Sequence, residues 1–314
     1  VARRFSIERE TLSRLSHPHI GKLYDAGTLG DATPYLVLEL VQGRSWTQWL
    51  AEEGPPLRVR VEKFLSICSA VEYAHQQLLV HRDIKPSNLM IDQDGRAILL
   101  DFGIAKLLDD SSSTTLTREG GFALTPAYAA PEQLRGEPVS TFTDVYALGL
   151  VLFETLTARH PFDAAGKGSA ARLRDPTLLP RRPSQASAPP AAVEAPMASA
   201  GAAAASHALP PPLLRGDLDN IVMKALEPEA ARRYASVAAL AADLRAWYQR
   251  WYGPNNAIVV VVGDVQPDAV YALAKKHFGP LVASEIAPPK NRPEIAQNGT
   301  KRVVLNNDKA RVPY

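Results

Sequence analysis

The sequence predicts an α+β chain in three parts: a small β-rich start at residues 1–43, a mainly helical body at 44–249, and a small α/β tail at 250–314. Three observations predict it. The run Tyr35-Leu36-Val37-Leu38-Glu39-Leu40 is compact and β-rich. Residues 57–80 carry Val61, Phe64, Leu65, Cys68, Val71 and Ala74 at helical spacing, as a long buried helix does. In the tail, the apolar run 258–262 is followed by Gly263-Asp264-Val265, then Pro267 and a helical stretch at 268–277.

Taken in order, Phe5, Leu12 and Leu15 recur at helical spacing with charges between them, so residues 4–15 read as an amphipathic helix that His17-Pro18 ends. The strand run then passes into Val41-Gln42-Gly43, and the long helix leads on through Tyr73-Ala74-His75. His75 reads as a structural residue. Residues 180–212 change character. Ala, Pro and Ser dominate, and only Arg181, Arg182 and Glu194 are charged. Such a run cannot bury enough apolar surface to offset its ordering entropy, so a disordered insertion is expected at about 164–213. Gly216-Asp217 suits a helix start, and a further helix is expected at 237–247.

Bulk properties narrow the function. Acids and bases nearly balance, 33 against 35 with a net charge of +2, which gives no reason to invoke nucleic acid. With Cys68 as the single cysteine no intrachain disulfide forms, so a reducing, cytoplasmic setting is expected, with Cys68 itself a small buried hydrophobe. The longest apolar run, 257–262, falls far short of the ~20 residues of a membrane-spanning helix. Val1-Ala2-Arg3-Arg4 carries no signal-peptide pattern and reads as the interior of a domain.

The chemistry is concentrated in His81-Arg82-Asp83-Ile84-Lys85-Pro86-Ser87-Asn88, followed by Asp101-Phe102-Gly103. The two stretches read H-R-D-x-K-x-x-N and D-F-G, in that order and at close spacing. A carboxylate can accept the proton of a hydroxyl nucleophile, a nearby lysine can offset phosphoryl charge, and Asn and Asp offer hard oxygen ligands for Mg²⁺. The pair resembles the catalytic-loop and metal-binding signatures of protein kinases, and the helix before His17-Pro18 resembles that of bacterial Ser/Thr kinases.

The resemblance implies a kinase-like fold with a mainly helical C-lobe and an incomplete β-rich N-lobe, acting on Ser/Thr of a protein substrate with ATP and Mg²⁺. It implies Asp83 as the proton acceptor, Lys85 at the transferred phosphoryl, and Asn88 and Asp101 as metal ligands. Glu8 would pair with an ATP-anchoring lysine and Leu38 would be the gatekeeper. Glu39 and Val41 would meet the adenine edge through their backbone, with Met90 assigned to the same nucleotide site. Arg82 marks the class whose activation loop is ordered by phosphate, and Ser111, Ser112, Ser113, Thr114, Thr115 and Thr117 are the available sites. Thr125-Pro126-Ala127-Tyr128-Ala129-Ala130-Pro131-Glu132 matches the family's T-P-x-Y-x-A/S-P-E. Glu132 is then expected to pair with Arg233, and Asp144 to accept backbone N–H groups of the catalytic loop.

Two departures qualify the resemblance. The first glycine is Gly21 and the first lysine Lys22, so no G-x-G-x-x-G loop or strand lysine precedes Glu8, and about three strands of the ATP-binding lobe are expected to be missing. The tail, from Trp251-Tyr252-Gly253-Pro254-Asn255-Asn256-Ala257 onward, resembles part of a pitrilysin/insulinase-like zinc peptidase. None of the seven histidines stands in that family's H-x-x-E-H spacing. The alternatives are therefore a noncatalytic kinase-derived scaffold or fusion relic, which a missing nucleotide site would reveal, and, more weakly, a noncatalytic metallopeptidase-family fragment.

Overall fold

The computed structural model describes residues 15–28, 30, 34–101, 127–162, 178–186, 207–251 and 260–280. The expected helix at 4–15 with Glu8, and the activation segment's phosphosites and Thr125, lie outside the described residues. The chain divides into two compact units, Val1–Gln249 and Arg250–Tyr314.

In the first unit, β1 (Leu23–Thr28) and β2 (Pro34–Leu38) form an antiparallel pair. β2 stops two residues short of the expected strand: the Glu39 N–H still donates to the Lys22 carbonyl at 2.8 Å, but the Lys22 N–H goes to the Glu39 carboxylate instead of its backbone, and the ladder ends there. A second sheet joins β3 (Gly43–Ser45), β4 (Leu89–Asp92) and β5 (Ala97–Leu99) in that order, all antiparallel. Gly43 is required there: a Cβ at this position would lie 2.1 Å from the Ile91 carbonyl oxygen. The stretch 17–20 fastens the first strands to this sheet. His19 Nδ1 lies 2.8 Å from the Ala97 carbonyl, the Leu99 N–H donates to the His19 carbonyl at 2.8 Å, and the His17 ring stacks on Tyr73.

Helix α1 (Trp46–Glu53) starts at Ser45, whose hydroxyl accepts the Gln48 N–H while the Gln48 side chain accepts the Ser45 N–H. Trp46 and Trp49 turn inward, and Trp46 Nε1 donates to Thr155 Oγ1 at 2.9 Å. Helix α2 (Leu57–Gln76) buries Val61, Phe64, Cys68, Val71 and Ala74, the stripe its spacing predicts. It ends earlier than expected. Leu78 takes φ 61° and stands in solvent, so that the next residue, Leu79, returns to the core.

The short α3 (Pro131–Leu134) precedes α4 (Thr141–Thr157), the central post, which is buried continuously from Thr143 through Phe153. A helix apolar on every side must be surrounded. Gly149 lets α7 (Asp217–Ala225) approach closely, since a Cβ there would sit 2.9 Å from that of Ala225. α8 (Val237–Trp251) has its first N–H groups met by the Glu72 carboxylate at Ala238.

Of the insertion expected at about 164–213, the described parts, residues 178–186 and 207–213, are ordered and packed. α5 (Pro183–Ala186) is held by Asp219, which accepts the Ser184 N–H at 2.9 Å and its hydroxyl at 2.7 Å. On the other flank the Leu209 N–H donates to Leu156 O at 3.0 Å before α6 (Pro211–Leu214). The buried Arg60 guanidinium donates to the carbonyls of Pro55, Thr155 and His207 at 2.7, 2.6 and 2.6 Å. Burial pushes its pKa down to about 10. Few apolar side chains are present, but Ala186, Leu209 and Leu214 are buried, and the Ser184 and Arg60 side chains beside them are hydrogen-bonded. Composition counts residues; it does not count anchors.

In the second unit α9 (Pro267–Phe278) covers the helix expected at 268–277. The strand expected at 258–262 is not formed at Val260, Val261 or Val262, which are exposed and have no ladder partner among the described residues. Apolar β-branched residues make a strand only where a neighbour accepts their N–H groups. Among the described residues no helix is long and apolar enough to cross a membrane.

Candidate active site

The catalytic loop leaves α2 as irregular backbone and closes with a 3₁₀ turn, Pro86–Asn88, in which Pro86 pre-sets the first φ and the Asn88 N–H donates to Lys85 O. Between them Arg82 takes φ 67°, a left-handed conformation that a bulky residue holds only under constraint. Asp144, at the start of α4, supplies part of that constraint. Its carboxylate accepts the N–H of His81 at 2.8 Å and of Arg82 at 2.9 Å, and lies 2.7 Å from His75 Nε2. Asp144 thus acts as the sequence led one to expect, and His75 is one of its structural partners.

His81 is fully buried, and burial holds its imidazole below the usual histidine range, as a neutral ring. Its partners set the tautomer: Nε2 faces the Leu100 carbonyl at 3.0 Å, so it carries the proton, and Nδ1 accepts the Asp83 N–H at 3.3 Å.

This scaffold brings Asp83, Lys85 and Asn88 together. Lys85 Nζ lies 2.8 Å from Asp83 Oδ2. Asn88 Nδ2 donates to the Asp83 carbonyl at 2.9 Å and reaches Asp83 Oδ2 at 3.3 Å. Because a carbonyl can only accept, the amide nitrogen is the atom turned to Asp83, and Asn88 Oδ1 points elsewhere as a hard oxygen donor. Asp101 follows directly on Leu100, whose N–H donates to Asn88 O at 2.8 Å. Asp101 is exposed and left-handed at φ 48°. The Asp83 carboxylate, the Lys85 ammonium beside it and the Asn88 amide therefore stand together, with Asp101 next in chain after the residue bonded to Asn88.

The residues expected at the adenine edge lie apart from that cluster. Glu39 and Val41 line a cavity of about 420 Å³ together with Pro18, Ile20, Asp92 and Arg96, and none of Asp83, Lys85, Asn88 or Asp101 lines it. The Glu39 carboxylate accepts the Lys22 N–H at 3.0 Å. Met90 sits in β4 opposite Ile98, partly exposed, and does not line this cavity.

On the opposite flank the Glu132–Arg233 pair forms as expected. Two hydrogen bonds of 2.8 Å join the groups, Thr143 Oγ1 donates to Glu132, and the Arg233 guanidinium also reaches the carbonyls of Phe142, Glu227 and Pro228. Burial is the largest influence and works to raise the Glu132 carboxyl, but the hydrogen bonds and charge of Arg233, with a backbone N–H and the Thr143 hydroxyl, together hold the group below the usual range.

Sequence reasoning missed two contacts here. Tyr128 donates to Glu154 Oε2 at 2.7 Å, and the Gln133 side chain reaches the catalytic loop at the Arg82 carbonyl, 2.9 Å away. Tyr128 lies inside the matched motif and Gln133 directly follows it, but a motif names its own members and not their partners.

The chain matches two family descriptions, protein kinase domain over residues 2–238 and Peptidase M16 inactive domain over residues 239–314. It is 33% identical over 247 residues to the serine/threonine-protein kinase PknB of Mycobacterium tuberculosis (strain H37Rv), covering 77% of this chain and 35% of that protein. It is 42% identical over 170 residues to the serine/threonine-protein kinase PrkC of Bacillus subtilis, covering 54% of this chain and 26% of that protein. The chain thus spans about a third of the length of the PknB relatives it matches. In fold it is similar to the crystal structure of Rad53 1–466 in complex with AMP-PNP, with a TM-score of 0.51 at 22% identity over 76% of this chain and 53% of that one.

Proposed function

The chain belongs to the protein kinase domain family, and on that premise we propose that it transfers the γ-phosphoryl group of Mg-ATP to Ser or Thr hydroxyls of protein substrates. The observation that carries this reading is the cluster of Asp83, Lys85 and Asn88 on a catalytic loop pinned by Asp144. Asp83 orients the substrate hydroxyl and takes up its proton. Lys85, now paired with Asp83, is placed to offset charge on the transferred group. Asn88 Oδ1 and the Asp101 carboxylate would hold Mg²⁺ as hard oxygen ligands. The ion, when bound, would supply neutralisation of phosphate charge. The peptidase-like tail, without H-x-x-E-H, takes no part in this chemistry.

The test is phosphoryl transfer to a Ser/Thr-containing protein, beside Mg-ATP binding by calorimetry. Asp83→Asn should lower turnover by about 10²–10⁴-fold and leave the fold intact. Asp101→Asn should abolish the Mg²⁺-dependent part of nucleotide binding. Turnover unchanged in Asp83→Asn removes Asp83 from the mechanism. A folded wild type that binds no Mg-ATP favours the scaffold reading instead.

A further inference from the structure

We propose that Gln133 is a positioning residue for Asp83, joining the element that follows the peptide-docking motif directly to the peptide bond that carries the proton acceptor. The proposal rests on the phosphoryl-transfer reading above for its kinetic consequence, but its structural part stands by itself.

Gln133 lies in the first turn of α3, partly buried, directly after the A-A-P-E stretch. Its amide makes two bonds of opposite sense. Oε1 accepts the Ala130 N–H at 2.9 Å, and Nε2 donates to the Arg82 carbonyl at 2.9 Å. The partners dictate the orientation of the amide, since an N–H can only donate and a carbonyl can only accept. Oxygen must face Ala130 and nitrogen must face Arg82.

The Arg82 carbonyl is the oxygen of the Arg82–Asp83 peptide unit, and that unit follows a left-handed φ of 67°. Asp144 holds the N–H groups of His81 and Arg82, which fixes the entry to the turn. It does not fix the plane of the next peptide. Among the described residues, two contacts act on it: Gln133 on the carbonyl side, and the Asp83 N–H directed at His81 Nδ1 at 3.3 Å on the other. The second is long for an N–H bond, so Gln133 is the shorter of the two restraints. Rotation of this peptide plane swings the Asp83 side chain away from Lys85 Nζ and Asn88 Nδ2, which now lie within 2.8 and 3.3 Å of its carboxylate. Misplacing a catalytic group in this way costs rate with little effect on substrate affinity.

Gln133→Glu isolates the relevant bond. It retains the acceptor for Ala130 and removes the donor to Arg82. Gln133→Met is the companion, similar in length but without either bond. Both are compared with wild type by ¹⁵N-resolved NMR of the Asp83 amide and by steady-state kinetics. In both variants the Asp83 amide resonance is expected to move, while kcat falls about five- to tenfold and the peptide KM stays within twofold. An unmoved Asp83 amide in a folded variant overturns the proposal. A moved amide with kcat unchanged also overturns it, because the bond would then shape the loop without serving the chemistry. If wild type shows no transfer at all, the phosphoryl-transfer reading fails, and with it the kinetic half of the proposal, while the NMR result still decides whether Gln133 orients the Asp83 peptide. Should one variant not fold, the other carries the same comparison.

Discussion

The Tyr128–Glu154 contact makes a quantitative prediction about stability and pH. Glu154 projects from the C-terminal half of α4, partly buried, and its hydrogen-bond partner among the described residues is the Tyr128 hydroxyl at 2.7 Å. Burial pushes its carboxyl up to about 7 from 4.5, and the Tyr128 hydrogen bond pulls only weakly the other way. A group whose pKa is higher folded than unfolded keeps more protons in the folded state. Its contribution to stability is therefore complete below about pH 4.5 and is lost as pH rises through about 7. At ~1.36 kcal/mol per pH unit, a shift of about 2.5 units sets a ceiling of about 3 kcal/mol. Water reaching the partly exposed side chain reduces the expected loss to about 1–2 kcal/mol. Glu154→Gln cannot ionise, keeps an oxygen for Tyr128, and should be more stable than wild type by that amount at pH 8 and near-equal at pH 4.5. Urea unfolding at a series of pH values measures this directly. Parallel stability–pH curves for the two proteins between 4.5 and 8 would refute the reasoning, because Tyr128, the other group Glu154 perturbs, is pushed upward and stays protonated across that range.

Two further substitutions test the scaffold. Arg233→Met leaves Glu132 buried without its partner and should cost about 3–5 kcal/mol; adding Glu132→Gln should restore part of it, a coupling that a double-mutant cycle reads from chemical denaturation. Gly43→Ala drives a methyl group into the Ile91 carbonyl, which is backbone and cannot yield as a side chain would, so β3 should part from β4 with a loss of about 2–3 kcal/mol and faster amide exchange at Ser45.

What could be read from the residues, and what could not, divides along a physical line. The helices at 57–76, 217–225 and 267–278 were legible because apolar periodicity, or a Gly-Asp or Pro start, is local to the chain. Asp144 and Glu132–Arg233 were legible because the motifs bring known geometry with them. The expected strand does not form at Val260–Val262 because β-propensity describes a residue that already has a neighbour, and these three have no ladder partner among the described residues. The flanks of the Ala/Pro-rich run were misjudged because their order comes from two distant polar anchors. Asp219 holds Ser184, and Arg60 holds His207 across the whole body. In the sequence Arg60 reads as an ordinary helix arginine, though its three carbonyl partners place it at 2% exposure. Glu154 and Gln133 were equally silent, since a glutamate or glutamine on a helix is most often solvated.

The silent residues and the legible ones meet at the strained backbone. Arg82 and Asp101 are both non-glycine residues at positive φ, and they bracket the site at φ 67° and 48°. Such conformations cost about 1–3 kcal/mol each and persist only where the surroundings over-determine them. At Arg82 the surroundings include the N–H bonds of His81 and Arg82 to Asp144, the Gln133 amide on the Arg82 carbonyl, and the His81 ring receiving the next N–H. These anchors come from α4, α3 and the catalytic loop itself. His81 is in turn held at Leu100, whose own N–H is held at Asn88. The constraint therefore runs from Asp83 through His81 and Leu100 to Asn88, whose side chain returns to the Asp83 carbonyl. Left-handed non-glycine residues also stand at Leu78 and Ala158, so it is the circuit around Arg82, and not the conformation alone, that bears on the proposed chemistry. The strain is explained if the Asp83 carboxylate and the Asn88 and Asp101 oxygens have to be held in fixed relation, which is what in-line transfer between a hydroxyl and a metal-bound phosphate requires.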